Sequence, residues 1–307
     1  MSAVRVTARA KLNLTLEIGE KRPDGFHDLH SLAVPVTLED TLTIQQAGAG
    51  QGSTLAVSGL DPGCAEIENL AYRAIRLFET WTRRKVDVTA ALVKRIPHGA
   101  GLGGGSADAA AALVGMSQLT GITLSPLDVS EMALHLGSDV PFFLGTGASF
   151  LAGRGETVSG ATGLPGLSFA IVKPVGEVST ASAYSGLDTA RGKGTPGRTL
   201  TRFGVRTQEA AAALRANDLD RAATLIEGAN DLQPVAEGAH PEWAALPAAL
   251  RAAGCRAAAM TGSGSAYFGL CDDLETATRV AAGFRRDGWF AAACASADTP
   301  LLWERTG

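Results

Sequence analysis

Between Val4 and Ile18 every even position is apolar (Val4, Val6, Ala8, Ala10, Leu12, Leu14, Leu16, Ile18) and every odd position is polar or charged. Period two predicts a long strand with one buried face. Lys11 and Asn13 share the other face, where they either reach one ligand or stand in solvent. Gly19 to Gly25 is rich in turn formers, and alternation resumes through Leu32, Val34, Val36 and Leu38, then Leu42 and Ile44. Leu70, Ala71, Ala74, Ile75, Leu77, Phe78 and Trp81 recur at helical spacing, and Val86, Val88, Ala90 and Leu92 return to period two. Ser125, Pro126, Asp128 and Gly137 bracket a short capped helix that ends just before Ser138-Asp139.

Gly and Thr thicken from Gly145 to Gly166, and Phe169 to Val172 then reads as a buried strand. This change of texture places a domain boundary near residue 160, giving domains 1–160 and 161–307. The second half carries helices at Gln208 to Ala216, Leu219 to Ile226, Pro241 to Ala253 and Leu274 to Phe284. Strand-like runs lie at Arg256 to Met260, Tyr267 to Leu270 and Phe290 to Cys294, which predicts an α+β domain. Gly186 to Arg198, with Arg191, Lys193 and Arg198 among Gly, Thr and Pro, reads as a mobile loop, a surface insertion or a lid.

The chain has 307 residues, 19% of them charged, and a net charge of -4. A diffuse, mildly acidic surface predicts neither a nucleic-acid nor a membrane partner, so any anion site must be local. Cys64, Cys255, Cys271 and Cys294 are scattered, with no CxxC pair, which argues against a zinc site or a disulfide framework and for a reducing cytoplasm. Arg5, Arg9 and Lys11 interrupt the N-terminal pattern and no apolar run nears about 20 residues, so neither secretion nor a membrane span is expected.

The most informative segment is Pro97-His98-Gly99-Ala100-Gly101-Leu102-Gly103-Gly104-Gly105-Ser106-Ala107-Asp108, running straight into Ala109 to Val114. A loop poor in Cβ atoms lets backbone N–H groups approach an anion, and the following helix turns its positive end toward it. A glycine-rich turn chosen only for tight packing is the plain alternative. A P-loop would need lysine after the last glycine, and Gly105-Ser106 has none. Gly99, Gly101 and Gly104 satisfy a dinucleotide pattern, but that fingerprint needs a second strand ending in an acid about 20 residues later, where Asp128 and Glu131 fall on a capped helix. An NAD-dependent dehydrogenase is the runner-up.

Pro97 to Ala107 resembles the second motif of the GHMP kinases, Ala10-Lys11-Leu12-Asn13-Leu14 resembles the first, and Met260 to Ala266 resembles the third. Within the family, Lys21-Arg22-Pro23-Asp24-Gly25-Phe26-His27, Gly137-Ser138-Asp139-Val140-Pro141-Phe142-Phe143 and Asn230-Asp231-Leu232 resemble the subfamily acting on a cytidine diphosphate derivative of methylerythritol in isoprenoid synthesis. The resemblance implies a two-domain α+β fold with a ribosomal-S5-like N-terminal domain, an α+β C-terminal domain and the active site in the cleft between them. It also implies ATP and Mg2+, with phosphoryl transfer to an alcohol. Homoserine, mevalonate or a sugar are the other acceptors such a kinase takes.

Under this resemblance Asp139 is the proton acceptor and Lys11 its partner, holding the carboxylate and orienting the substrate hydroxyl; for Asp139 the alternative is a helix N-cap. The ATP phosphates fall to the loop Pro97 to Ala107, with Asn69 and Lys94 on the adenine side; Lys94 otherwise reads as a solvated strand end. Asn13, Phe26, His27, Asp139, Thr180, Tyr184, Thr261, Gly262 and Ser263 are assigned to the acceptor. Thr180 is otherwise a helix cap, Tyr184 a core aromatic, and Thr261 to Ser265 a hairpin corner. The chain departs from the family in two places: Phe26 stands where Tyr is usual, and the Glu that binds magnesium in several members has no counterpart, leaving Ser106 as the candidate ligand.

Overall fold

The predicted first strand runs the whole way from Ala3 to Lys21 (β1) and pairs antiparallel with β2 (His27–Gln46). The structure is a computed structural model that describes residues 3–192, 203–286 and 288–306. There follow β3 (Thr54–Gly59), α1 (Leu70–Thr82), β4 (Val88–Lys94), α2 (Gly104–Thr120), α3 (Pro126–Leu136), the single turn α4 (Val140–Phe143), β5 (Ser149–Ala152) and β6 (Thr157–Gly160). The second half contributes β7 (Ser168–Lys173), α5 (Thr180–Gly192), α6 (Val205–Arg215), α7 (Leu219–Ile226), α8 (Gln233–Ala239), α9 (Leu246–Ala252), β8 (Ala257–Met260), β9 (Tyr267–Cys271), α10 (Leu274–Gly283), β10 (Phe290–Ala295) and β11 (Leu301–Thr306).

Two sheets result. The first has the order β11-β1-β2-β4-β3, with the β5–β6 hairpin attached to β2, and the second has the order β10-β7-β9-β8. Residue 160 falls between them, yet β11 returns to pair with β1 from Ala3↔Thr306 to Ala8↔Leu301. The second sheet is thus inserted between β6 and the last strand of the first.

β1 is where the sheets meet. Val4, Val6 and Ala8 pack in one apolar cluster with residues of α1 and α2, whereas Ala10, Leu12 and Leu14 pack in another with Ile171 and Phe268 of the second sheet. Leu16 and Ile18 rejoin the first cluster. The changeovers coincide with register shifts between Arg9 and Ala10 and between Asn13 and Thr15, the local irregularities by which a strand re-aims its side chains. From Ala10 to Gly19 every β1 residue is buried, so the polar face carrying Lys11 and Asn13 is covered and not solvated.

The middle of α2 is apolar all round and enclosed, with Ala109 to Ala112 fully buried. α3 has the predicted capping box, Ser125 and Asp128 each accepting the other's backbone N–H. It follows α2 directly, so no second parallel strand exists there and the dinucleotide reading falls. The expected loop from Gly186 is corrected as far as Gly192, because these residues complete α5; Lys193 to Arg198 lie outside the described residues. Arg191 in the last turn donates to the carbonyls of Gly19 and Ile18 at 2.6 and 2.7 Å, anchoring the helix on β1. Among the described residues no helix is long and apolar enough to cross a membrane.

Candidate active site

The loop joining β4 to α2 is bound by glycines. Gly99, Gly101 and Gly103 have φ values of 63, 72 and 72°, a region that L side chains occupy at a cost. A Cβ on Gly101 would lie 2.2 Å from the Thr261 carbonyl, and one on Gly103 would lie 2.7 Å from the Phe143 ring. Tight packing is therefore part of the reason for the glycines. It leaves room for an anion as well, because the loop opens on a cleft of about 1290 Å³ and delivers the N-terminus of the 17-residue α2 to it.

The turn between β8 and β9 is sewn to this loop. Ser265 and Ala266 donate their N–H groups to the carbonyls of Gly99 and Ala100 at 3.2 and 3.1 Å, and Lys11 donates to the carbonyl of Leu102 at 2.9 Å. The Asn230 amide holds the carbonyls of Met260 and Gly262, both at 2.8 Å. The segment is a hairpin corner, as one reading had it, and it also lines the cleft through Gly262, Ser263 and Gly264.

Lys11 and Asp139 meet in the cleft, Nζ to Oδ1 at 3.2 Å. Lys11 is buried, its side chain 4% exposed, while that of Asp139 is 41% exposed; burial falls on the cation, and the carboxylate stays open to the cleft. Asp139 precedes α4 but makes no capping hydrogen bond, so the N-cap alternative is not realised. Lys11 also donates to Asn13 Oδ1 at 3.0 Å, and Asn13 donates through Nδ2 to Ser31 Oγ at 2.7 Å and through its backbone to Thr261 Oγ1 at 2.9 Å. A buried ammonium whose amide partner is itself held in place is a preorganised charge.

Lys94 is not a solvated strand end. Its ammonium is buried between Asp40 and Asp108, 2.6 Å from the latter, while Asp40 also accepts the backbone N–H groups of Arg95 and Ile96. Burial works against the Lys94 charge, but Asp108 and Asp40 outweigh it and raise its pKa. Burial pushes Asp108 up to about 7, Lys94 opposing and Asp40 adding to the shift. Asp108 Oδ1 has no hydrogen-bond partner. Asn69 caps α1, accepting the Ala71 N–H through its side chain at 3.0 Å, and lines the same end of the cleft.

At the other end, Phe26, His27, Thr180 and Tyr184 converge. Phe26 is 51% exposed and its ring lies 4.5 Å from the Arg154 guanidinium, a cation–π contact. The His27 and Tyr184 rings stack with centroids 5.3 Å apart. Tyr184 is pushed up to about 12 by burial and by the nearby Asp139 charge. Thr180, the first residue of α5, hydrogen-bonds Ser263 Oγ at 3.1 Å. Two assigned residues do not reach the cleft: Ala107 is packed in the core and Thr261 is buried behind Asn13. Arg154, Glu177, Asp188 and Asp108 line it without having been foreseen. Gly153-Arg154-Gly155, a turn between strand-like residues, was the signal available for one of them.

The model of the GHMP kinases N terminal domain matches residues 69–147, and that of the GHMP kinases C terminal matches residues 210–288. A Pelotomaculum thermopropionicum protein named 4-diphosphocytidyl-2-C-methyl-D-erythritol kinase is 41% identical over 92% of this chain and 94% of its own. The chain belongs to the GHMP kinase family. A Moorella thermoacetica relative of the same name is 40% identical over 92% of this GHMP kinase and 94% of its own length. A crystal structure of 4-(cytidine 5'-diphospho)-2C-methyl-D-erythritol kinase superposes with a TM-score of 0.75 at 32% identity, covering 95% of this chain and 99% of that one. Homoserine kinase from Cytophaga hutchinsonii, 18% identical with a TM-score of 0.72 over 98% of this chain and 97% of its own, shares the fold. The protein is an ATP-dependent kinase with the two-domain architecture of its family.

Proposed function

We propose that this kinase transfers the γ-phosphoryl group of ATP to the 2-hydroxyl of 4-diphosphocytidyl-2-C-methyl-D-erythritol, an isoprenoid precursor. The observation that carries the reading is the Lys11–Asp139 pair standing in one cleft between the glycine loop and the aromatic mouth of Phe26, His27 and Tyr184. The names of relatives 40% and 41% identical over nearly the whole chain support it.

The glycine loop and the N-terminus of α2 receive the phosphates, with Asn69 on the adenine side. Lys94, already held by two carboxylates, shapes that wall more than it bonds the base. Asp139 takes the proton of the acceptor hydroxyl while Lys11 stabilises the charge developing beside the transferred group. Phe26 and Tyr184 offer faces to a pyrimidine, and the His27 region its edge. Thr180, Gly262 and Ser263 close the acceptor side. Mg2+ would neutralise charge on the phosphates, and the Ser106 hydroxyl, which lines the cleft in the first turn of α2, is the loop oxygen that would help to hold it. The free thiols of all four cysteines suit a reducing cytoplasm.

An ADP-release assay against diphosphocytidyl-methylerythritol, homoserine, mevalonate and galactose tests the assignment. Turnover confined to the cytidyl alcohol is expected. Preference for another alcohol overturns the acceptor while leaving the kinase.

A further inference from the structure

Asp188 lies on α5, one helical turn after Tyr184, with its two carboxylate oxygens engaged in different directions. Oδ1 meets His27 Nε2 at 2.7 Å and Oδ2 meets Lys21 Nζ at 2.7 Å. Lys21 is the last residue of β1 and His27 the first of β2, and the two pair across the ladder. One side chain therefore grips both ends of the turn that carries Phe26. Tyr184 and Asp188, at i and i+4, share a helix face, and both address the same imidazole, Tyr184 through its plane and Asp188 through its edge.

The chemistry of the pair has a direction. The hydrogen bond from Lys21, against a smaller effect of burial and with help from His27, holds Asp188 below the usual carboxylate range. An ionised carboxylate only accepts, so the proton between them belongs to His27 Nε2. In the neutral ring Nδ1 is then left as an acceptor. The His27 side chain is 3% exposed, so no water shell competes for this choice.

We propose that Asp188 is a positioning residue for acceptor specificity: through His27 it sets the plane and tautomer of the imidazole and holds the Phe26 turn against α5. This rests on the proposal that the aromatic mouth takes a pyrimidine. Cytosine and uracil differ in the order of donors and acceptors along one edge, so a wall restricted to one tautomer meets one of them better. A histidine free to exchange tautomers would meet both.

The test uses the full chain labelled with 15N at histidine. The wild type is expected to show His27 protonated at Nε2; a predominant Nδ1–H form overturns the proposal and requires no variant to fold. Asp188→Asn, whose amide both donates and accepts, is expected to mix the tautomers and raise KM for the cytidyl acceptor about tenfold, the loss of one charge-assisted hydrogen bond. KM for ATP is expected to stay within about twofold and the preference over a uridyl analogue to narrow about tenfold. Asp188→Glu, which keeps the carboxylate, is expected to recover most of the preference. An Asp188→Asn enzyme with unchanged acceptor KM and unchanged base preference overturns the inference alone. A wild type that does not phosphorylate the cytidyl alcohol overturns the functional reading beneath it.

Discussion

Replacing Gly101 by alanine adds one methyl group where the structure leaves no room for it. The new Cβ would stand 2.2 Å from the Thr261 carbonyl oxygen and 3.1 Å from the Gly264 nitrogen, both backbone atoms. Ordinary contact begins at about 3.5 Å, so the two loops must separate by roughly 1 Å. The φ of 72° adds about 1–2 kcal/mol for a residue with a Cβ in the left-handed region. A displacement of about 1 Å at a reacting centre costs about 10²-fold, and that is the expected fall in kcat/KM for ATP. Gly238→Ala is the control: it lies in α8 with nothing within 4 Å of the added atom, and is expected to gain about 0.5–1 kcal/mol without change of rate. Steady-state kinetics with melting temperatures for both variants decide the matter. A Gly101→Ala enzyme with wild-type kcat/KM refutes the claim that the glycine is required by close approach of the two loops.

Asp139→Asn is expected to lower kcat by roughly 10²–10⁴ with little change in nucleotide affinity, and Lys11→Met to be similarly damaging. Their double variant should lose far less than the product of the two, since they act as a unit, and additive losses would count against the pairing. Gly103→Val would press on Phe143 and on Lys11 Cε, 3.2 Å from the added Cβ, so it should weaken ATP binding in a folded protein, as measured by titration. Asp108, raised from 3.8 to about 7, binds its proton more tightly in the folded chain; stability therefore falls as pH rises across that interval, the loss being complete above it. Asp108→Asn should flatten the melting temperature over this window, and an unchanged slope would assign the pH dependence elsewhere. Phe26→Ala is expected to raise KM for the cytidyl acceptor about tenfold or more, taking stacking as about 1–3 kcal/mol, while Phe26→Tyr stays nearly silent.

What was legible in the sequence was local. The alternation of β1 and the capping box of α3 each carry their signal within a few residues, and each is found where the pattern put it. What covers the polar face of β1 was not legible, because Thr207 and Thr261, which bond Thr15 and Asn13, come from nearly two hundred residues and more downstream. Lys94 looked like a strand-end lysine for the same reason: its partner Asp40 is 54 positions away. The glycines of α5 disguised a helix as a loop and hid Asp188. That helix is held by Arg191, Lys21 and His27, tertiary contacts that outweigh weak propensity.

The hydrogen bonds from Ser265 and Ala266 to Gly99 and Ala100 have a mechanical meaning. They weld the glycine loop to the second sheet, so opening and closing of the cleft cannot run along that seam without breaking backbone pairs. At the opposite rim α5 meets the β1–β2 hairpin, among the described residues, through side chains of the helix: Asp188 on Lys21 and His27, and Arg191 on the carbonyls of Gly19 and Ile18. Side-chain clasps are replaceable one residue at a time, whereas a backbone weld is not. A scaffold divided in this way leaves the α5 rim open to substitution while the glycine-loop seam stays fixed.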